Sequence, residues 1–393
     1  MQGHNVLKEA STHKKYTKEY KYTMATIEKG TGTIALGAFD KSAVLKKREF
    51  GRPAPGPDDI AIDTKFCGMC HSDLHACNGD WGLNMYPITP GHEIAGIVTA
   101  VGANVKDFKV GDRAAVGCFV QSCRTCDLCS DGQEQYCPDL VQTYSTPFPE
   151  GRGDNFKEAV GYHTNGGYSD KIVVNQHFVL HIPTSISMEA AGPLLCAGIT
   201  VFSPLNRHVL KKAGDGKGKK HVGIVGFGGL GHMAVKIAKA MGADVTVLSR
   251  SNKKEALAHT MGANILIHTD EKALSEQVRV FDCIIDTVSA SHPVASIVGT
   301  LKVGGTMVLL GAIGAPFELS AFPLLANNHC IEGSAVGGIP ETKEMLEFCA
   351  KHDIAPHCKV IHAKDASAHF TSMSEGTSGA ERYVIDISTL KDL

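Results

Sequence analysis

The chain has 393 residues, enough for two or three domains and a sizeable core. Apolar residues make up 43% and charged residues 20%, which is ordinary globular usage and excludes disordered, collagen-like and coiled-coil classes. Lys and Arg total 39 against 41 Asp and Glu, a net charge of −2, and this balance speaks against broad binding to nucleic acid or to an anionic membrane.

Residues 1–29 are polar, rich in Lys and without an apolar stretch of the secretory type. They read as an extension, poorly ordered, with Met24 as an alternative start. From about Gly30 to Pro183 the sequence is short β-like pieces between Gly and Pro: Ile60–Ile62, Ile94–Val98, Arg113–Val116 and Lys171–Val174. This predicts an irregular, largely antiparallel β domain. From about Ile199 strands alternate with helices, as a parallel α/β sheet requires. The predicted strands are His221–Val225, Val245–Leu248, Ile265–Ile267, Cys283–Ile285 and Thr306–Leu310. Helices are expected from the glycine run to Met241, over Lys253–Met261 and over Glu341–Lys351, and Arg382–Ile387 is read as a closing strand. No apolar run reaches the roughly 20 residues that span a bilayer. Val222–Leu248 comes closest, interrupted by His232, Lys236 and Lys239.

Between the first of those strands and its helix lies Gly226-Phe227-Gly228-Gly229-Leu230-Gly231. In a strand–turn–helix context this pattern is a dinucleotide fingerprint. The glycines allow a tight turn, close approach of a pyrophosphate, and close helix packing. An NAD site places an acid about 20 residues further on. Here the second strand ends in Ser249-Arg250-Ser251-Asn252-Lys253-Lys254. Two hydroxyls and three cations suit a 2′-phosphate, and cations at a helix start oppose the dipole unless an anion binds there. The reading is therefore NADP, with Ser249, Arg250, Ser251 and Lys254 around its 2′-phosphate.

Thirteen cysteines, an odd number, fit poorly with a disulfide framework and suggest reduced thiols. Cys123, Cys126, Cys129 and Cys137 have the spacing of a closed four-thiolate zinc site. Four thiolates leave no open position, so that site is structural. A second set is dispersed: Cys67-Gly-Met-Cys70-His71-Ser72-Asp73-Leu74-His75, then Gly91-His92-Glu93, then Cys196. Two Cys and one His would suit a catalytic zinc with an open position. Spacing alone leaves His71 a core histidine, or Cys67 and Cys77 buried thiols, as alternatives.

Taken together, these motifs resemble the zinc-dependent medium-chain alcohol dehydrogenases, and within them the NADP-using cinnamyl alcohol dehydrogenase type, over roughly residues 33–390. The resemblance implies an α/β fold: an irregular β catalytic domain (30–196 and 337–393) with a doubly wound, Rossmann cofactor domain (197–336) inserted in it. It implies that Cys70, not Cys67, joins His92 and Cys196 on the catalytic zinc, with Glu93 beside it. Ser72 would bond the substrate oxygen and lie near the cofactor, His75 would pass its proton to solvent, and Asp73 would orient His92. Trp81 and Phe119 would line the substrate pocket, Phe119 standing where several plant members carry Trp. Thr287, Gly311, Ser334 and Val336 would meet the cofactor near its nicotinamide, and Arg382 would lie near its phosphates. A dimer or tetramer is implied as well, and a strand near Leu301–Ile313 is the expected pairing element at a two-fold; the two ligand sets call for two zinc ions per chain, and the reduced thiols point to a cytoplasmic location.

The function expected is hydride transfer between NADP(H) and a primary alcohol or aldehyde. Trp81, Leu83, Met85 and Phe119 favour an apolar or aromatic substrate over the polyol or sugar of a related dehydrogenase. A zinc-stapled nucleic-acid module is disfavoured by Asp127, Asp131 and Glu134 in the cysteine lobe. A zinc-free quinone or enoyl reductase is the remaining alternative.

Overall fold

A computed structural model describes residues 31–82, 85–146, 163–212, 218–375 and 381–393. The extension 1–29 and Leu83 lie outside the described residues.

The chain opens with a hairpin, β1 (Thr31–Ala38) against β2 (Leu45–Arg52). The main sheet of the first domain contains β3 (Asp59–Gly68), β4 (Ile94–Val101) and β5 (Arg113–Val116). β6 (Phe119–Gln121) pairs with β7 (Val141–Gln142), while β8 (Lys171–Asn175) and β9 (Val179–His181) return to the main sheet. The pairing among these strands is antiparallel, with apolar side chains gathered in one core that includes Ile60, Ile62, Ile94 and Val116.

The second domain is a six-stranded parallel sheet: β10 (His221–Val225), β11 (Asp244–Ser249), β12 (Asn264–Ile267), β13 (Phe281–Asp286), β14 (Leu301–Leu309) and β15 (Cys330–Gly333). Its order is β12-β11-β10-β13-β14-β15, a doubly wound sheet whose order reverses between β10 and β13. The central strands are apolar almost throughout because helices cover both faces. The chain then returns through β16 (Cys358–His362) and β17 (Arg382–Asp386), and β17 pairs with β3 of the first domain.

Two helices position the site. The first, α1 (His71–Asn78), starts directly after β3. The second, α2 (Met188–Leu210), runs continuously past residue 196, the expected domain boundary, and joins the two domains. It is long and apolar enough to cross a membrane, but 78% of its most apolar window is buried in the protein, so it is a core helix. It thereby takes the place that the sequence reading gave to Val222–Leu248, which is here a strand, a turn, a helix and a strand. One further expectation changes. Over Thr306–Leu309, β14 is bonded to β13 on one side and β15 on the other, so that stretch has no free edge for a two-fold, and the sheet's outer edge is β15.

Candidate active site and metal centres

The four-cysteine lobe assembles from one loop. Cys123 Sγ and Cys129 Sγ lie 3.9 Å apart, as do Cys126 Sγ and Cys137 Sγ. A tetrahedron of Zn–S bonds near 2.3 Å has edges of roughly 3.8 Å, so the thiols already have the spacing that zinc demands. Backbone N–H groups face the sulfurs: those of Thr125 and Cys126 donate to Cys123, and that of Cys123 donates to Cys137. These donors, that of Thr125 first, pull the Cys123 thiol down to about 5. The lobe is also tied to the rest of the molecule. Buried Glu134 accepts from the backbone of Ile339 at 3.1 Å and bonds His177 at 3.0 Å, and Tyr136 Oη accepts from the backbone of Ala335.

The dispersed set also converges. Cys70, His92, Glu93 and Cys196 place their ligand atoms within 4.8 Å of one another, and the two sulfurs are 3.8 Å apart. Cys67 is not among them. It is fully buried, its thiol donates to Gly68 O, and burial pushes it well up.

Local sequence explains how the ligands meet. Cys70 caps α1, and Asp73 accepts from its backbone N–H at 2.9 Å. The same buried carboxylate accepts from the backbone of Gly91 at 3.0 Å and from Tyr168 Oη at 3.2 Å, and bonds His92 Nδ1 at 3.1 Å. One aspartate thus fixes the Cys70 loop, the His92 loop and the imidazole. With Nδ1 held by Asp73, Nε2 is left for a metal. Cys196 comes from α2, within a π-helical turn, Leu194–Gly198. Such turns are frequent at functional sites. Pro193 has no N–H to give Glu189 O, and the Cys358 thiol donates to that carbonyl instead. Gly192 lets α2 approach the His92–Glu93 loop: a Cβ there would meet Glu93 O at 2.2 Å.

Burial pushes the Glu93 carboxyl up to about 7, against the pull of the Arg382 guanidinium that binds it. The Cys70 thiol is held well down, first by its contact with Cys196 and then, against burial, by His92. A buried group of two sulfurs, one imidazole nitrogen and a carboxylate is a donor set that fits zinc.

The remaining expected residues separate into three groups. Ser72 is half-buried on α1, while His75 faces outward, bonded to Asp80 at 2.8 Å and 5.6 Å from the Trp81 ring. Trp81 is half exposed. Phe119, expected in the substrate pocket, is only 5% exposed and packs edge-on against Phe178 in the domain core. It shares a small cleft with Gly117, Cys118, Leu195 and Val336, so it meets the site from behind.

The glycine turn behaves as its pattern requires. Gly226 has φ of +88°, and a Cβ there would collide with Val288 and Thr287. A Cβ at Gly231 would stand 2.3 Å from Gly226 O, where the helix α3 (Gly229–Ala240) meets the strand. At Gly228 a Cβ would meet nothing within 4 Å. That open space lies at the N-terminus of α3, at the switch point, where an anion is favoured. Phe227 stacks on His232 at 4.0 Å, and Leu230 packs against the core. Lys254 Nζ donates to Phe227 O at 2.9 Å, so the basic end of β11 folds back onto the turn. Ser249 Oγ donates to Ser251 O and Arg250 is exposed. Thr287 Oγ1 donates to Val225 O, and Gly311 lies against Val288. Ser334 Oγ accepts from Arg207, and Val336 adopts φ of +42°, rare for a β-branched residue.

Sequence reasoning missed the Arg382 contact. The guanidinium bonds Glu93 and also lies against the turn, where a Cβ on Gly229 would meet its Cδ at 3.0 Å and its Nη1 at 3.2 Å. It also missed Tyr168 and Tyr144, whose ring is 5.8 Å from His92. No local motif marks any of these.

Two families match the chain: the alcohol dehydrogenase GroES-like domain over residues 56–184 and the zinc-binding dehydrogenase over 229–351. The NADP-dependent alcohol dehydrogenase C 1 of Mycolicibacterium smegmatis is 46% identical over 360 residues, 91% of this chain and 98% of its own. The chain belongs to the zinc-binding alcohol dehydrogenases. Its fold is shared with a cinnamyl alcohol dehydrogenase of Sorghum bicolor, at a TM-score of 0.83 and 40% identity over 91% of this chain and 98% of that one. A cinnamyl alcohol dehydrogenase of Helicobacter pylori complexed with NADP(H) has a TM-score of 0.81 and 38% identity over 91% and 99%.

Proposed function

We propose that the protein is an NADP-dependent alcohol dehydrogenase, an aldehyde reductase in reverse, acting on apolar or aromatic primary alcohols. The observation that carries this reading is the meeting of Cys70, His92 and Cys196 around one buried point, joined through Arg382 to a glycine turn with open space at Gly228. Zinc held at that point supplies a Lewis acid for a carbonyl oxygen, and NADPH held on the turn supplies the hydride.

The chain's own residues do the rest. Asp73 holds His92 and the Cys70 loop in place. Ser72 and His75 are three residues apart on α1, neighbours on its surface. Ser72, half-buried and two residues after Cys70, exchanges a proton with the substrate oxygen. His75, steadied by Asp80, passes it to water. Trp81, half exposed beside His75, offers the mouth an apolar wall, which suits an aromatic substrate better than a polyol. Arg250, Ser249, Ser251 and Lys254 gather the 2′-phosphate. The NADP named for the Mycolicibacterium and Helicobacter relatives supports that assignment.

Thirteen free thiols suit a reducing compartment such as the cytoplasm. A dimer is favoured by the open β15 edge and by Phe322 and Leu325 beside it, 76% and 80% exposed. Light scattering on the protein and on Leu325→Lys tests this: a dimer that the variant splits supports it, and a wild-type monomer refutes it. The activity is tested by initial rates for a panel of aldehydes with NADPH and NADH. Reduction of aromatic or long-chain aldehydes with NADPH supports the proposal, and turnover confined to sugars or polyols refutes it.

A further inference from the structure

Cys118 is a thiol that neither metal cluster uses. It follows β5, and its Sγ donates to Leu195 O at 3.6 Å, which lays it against the residue preceding Cys196. Gly117 makes the same approach, since a Cβ there would meet Leu195 Cβ and O at 3.5 Å. The Cys118 and Cys196 thiols hydrogen-bond to each other, and Cys196 Sγ is in turn 3.8 Å from Cys70 Sγ. Three thiols therefore adjoin one point, of which a catalytic zinc needs two.

Cys118 is also less sealed than the thiols of the core. Cys67, Cys77, Cys283 and Cys349 are sealed in the core, at 1% exposure or less. Cys118 is only partly buried and lines the cleft beside Phe119, Val336 and Gly337.

We propose that Cys118 is a peroxide-sensitive thiol that disables the catalytic metal site by forming a disulfide with Cys196. This rests on the zinc reading of the Cys70, His92 and Cys196 cluster. In the first step the Cys118 sulfur attacks one oxygen of a hydroperoxide. The O–O bond breaks, and the products are a sulfenic acid at Cys118 and water or an alcohol. In the second step the Cys196 sulfur attacks the Cys118 sulfur, an S–S bond forms, and the hydroxyl leaves as water. Two thiols have then lost two electrons and two protons, and the peroxide has gained them. A disulfide sulfur carries no negative charge, so the metal loses one of its two anionic sulfur ligands and is released. A thiol reductant with added zinc reverses the change.

The test uses the intact protein and hydrogen peroxide, with zinc release followed by a colorimetric chelator and disulfides mapped by mass spectrometry. Wild type and Cys118→Ser are compared, with Cys118→Val as a second variant. The expected result is two zinc ions per chain at the outset, release of one in wild type, and a Cys118–Cys196 link. Both variants should retain wild-type aldehyde reduction and release that zinc at least about tenfold more slowly. A Cys70–Cys196 link, or variants as sensitive as wild type, would overturn the proposal and leave the zinc reading intact. Fewer than two zinc ions in active protein before oxidation would overturn both.

Discussion

The two cysteine clusters solve the same coordination problem in opposite ways. Cys123, Cys126, Cys129 and Cys137 come from a single loop, the first three half buried and Cys137 buried, and are steadied by backbone N–H groups of their own lobe. Cys70, His92, Glu93 and Cys196 come from three separate segments and are buried, and their positions are set by Asp73, by the close packing at Gly192 and by Arg382. The first arrangement spends every donor on the metal and braces its surroundings. Through Glu134 and Tyr136 it holds residues 335–339, which carry Val336. On the proposed function the second keeps an open position, and Arg382, bonded to Glu93, also lies against the glycine turn. Closure gives structure, and an unfinished shell gives chemistry.

Breaking each cluster should therefore give different failures. Cys70→Ala should lower turnover on the order of 10³–10⁵-fold, since a Lewis acid contributes several kcal/mol to the transition state. Its melting temperature should stay near wild type. Cys126→Ser should do the reverse in kind. Structural zinc contributes about 10 kcal/mol or more in small zinc domains, comparable with a whole protein's stability. A large drop in melting temperature is expected, with activity lost only as the fold is lost. Paired calorimetry and steady-state kinetics separate the two, and equal melting points for the two variants would erase the distinction.

The proton path should show the next largest effect. Ser72→Ala should slow turnover about 10²–10⁴-fold if it moves a proton in the transition state. NADPH affinity should be unchanged. Full activity across the pH range would remove Ser72 from the path.

At the cofactor end the effect is smaller. A hydrogen bond to a charged group is worth about 1.5–3 kcal/mol, so losing Arg250 should weaken NADPH roughly 10–150-fold. Arg250→Asp should also shift preference towards NADH, because it repels the 2′-phosphate and accepts from the ribose. The ratio of specificity constants for the two cofactors measures this, and an unchanged ratio contradicts it.

The subtlest change is in the shell behind His92. Asp73→Asn keeps the shape but removes the charge. Comparable changes cost about 10–100-fold in metal affinity. Competitive chelation should detect this at the catalytic site only, with the four-thiolate lobe unaffected. Equal loss at both sites would mean that Asp73 acts through the fold as a whole.

How much of this was legible in the sequence follows from the same contrast. The four-cysteine motif and the glycine turn are local, so spacing carried them. Four of the parallel strands, β10 to β13, were read to within a few residues because they are continuous apolar runs, whereas β14 begins five residues before the predicted Thr306 and the short β15, Cys-Ile-Glu-Gly, was not read. The β1–β2 hairpin was not read, because β2, Leu-Lys-Lys-Arg-Glu-Phe-Gly-Arg, looks polar and buries only its ends. The long helix Met188–Leu210 was also missed. Gly192, Pro193, Gly198 and Pro204 read as breakers, yet burial and a π-helical turn absorb them. The catalytic set needed the family resemblance, because no spacing links position 70 to position 196. The Arg382–Glu93 contact joins β17 to a loop 289 residues away, and only tertiary packing makes it. Phe119 was placed in the pocket by resemblance; its side chain is 5% exposed and lines a small cleft with Leu195 and Val336.

The central claim is that one zinc serves structure and the other serves chemistry. The most direct test titrates the purified protein with a chelator while reading zinc content, aldehyde-dependent NADPH oxidation and circular dichroism on the same samples. Two zinc ions per chain should be found at the start. Loss of the first should abolish turnover with the spectrum unchanged, and added zinc should restore it. Loss of the second should unfold the lobe. Undiminished turnover after the first zinc is gone, or one zinc or none in fully active protein, would contradict the claim.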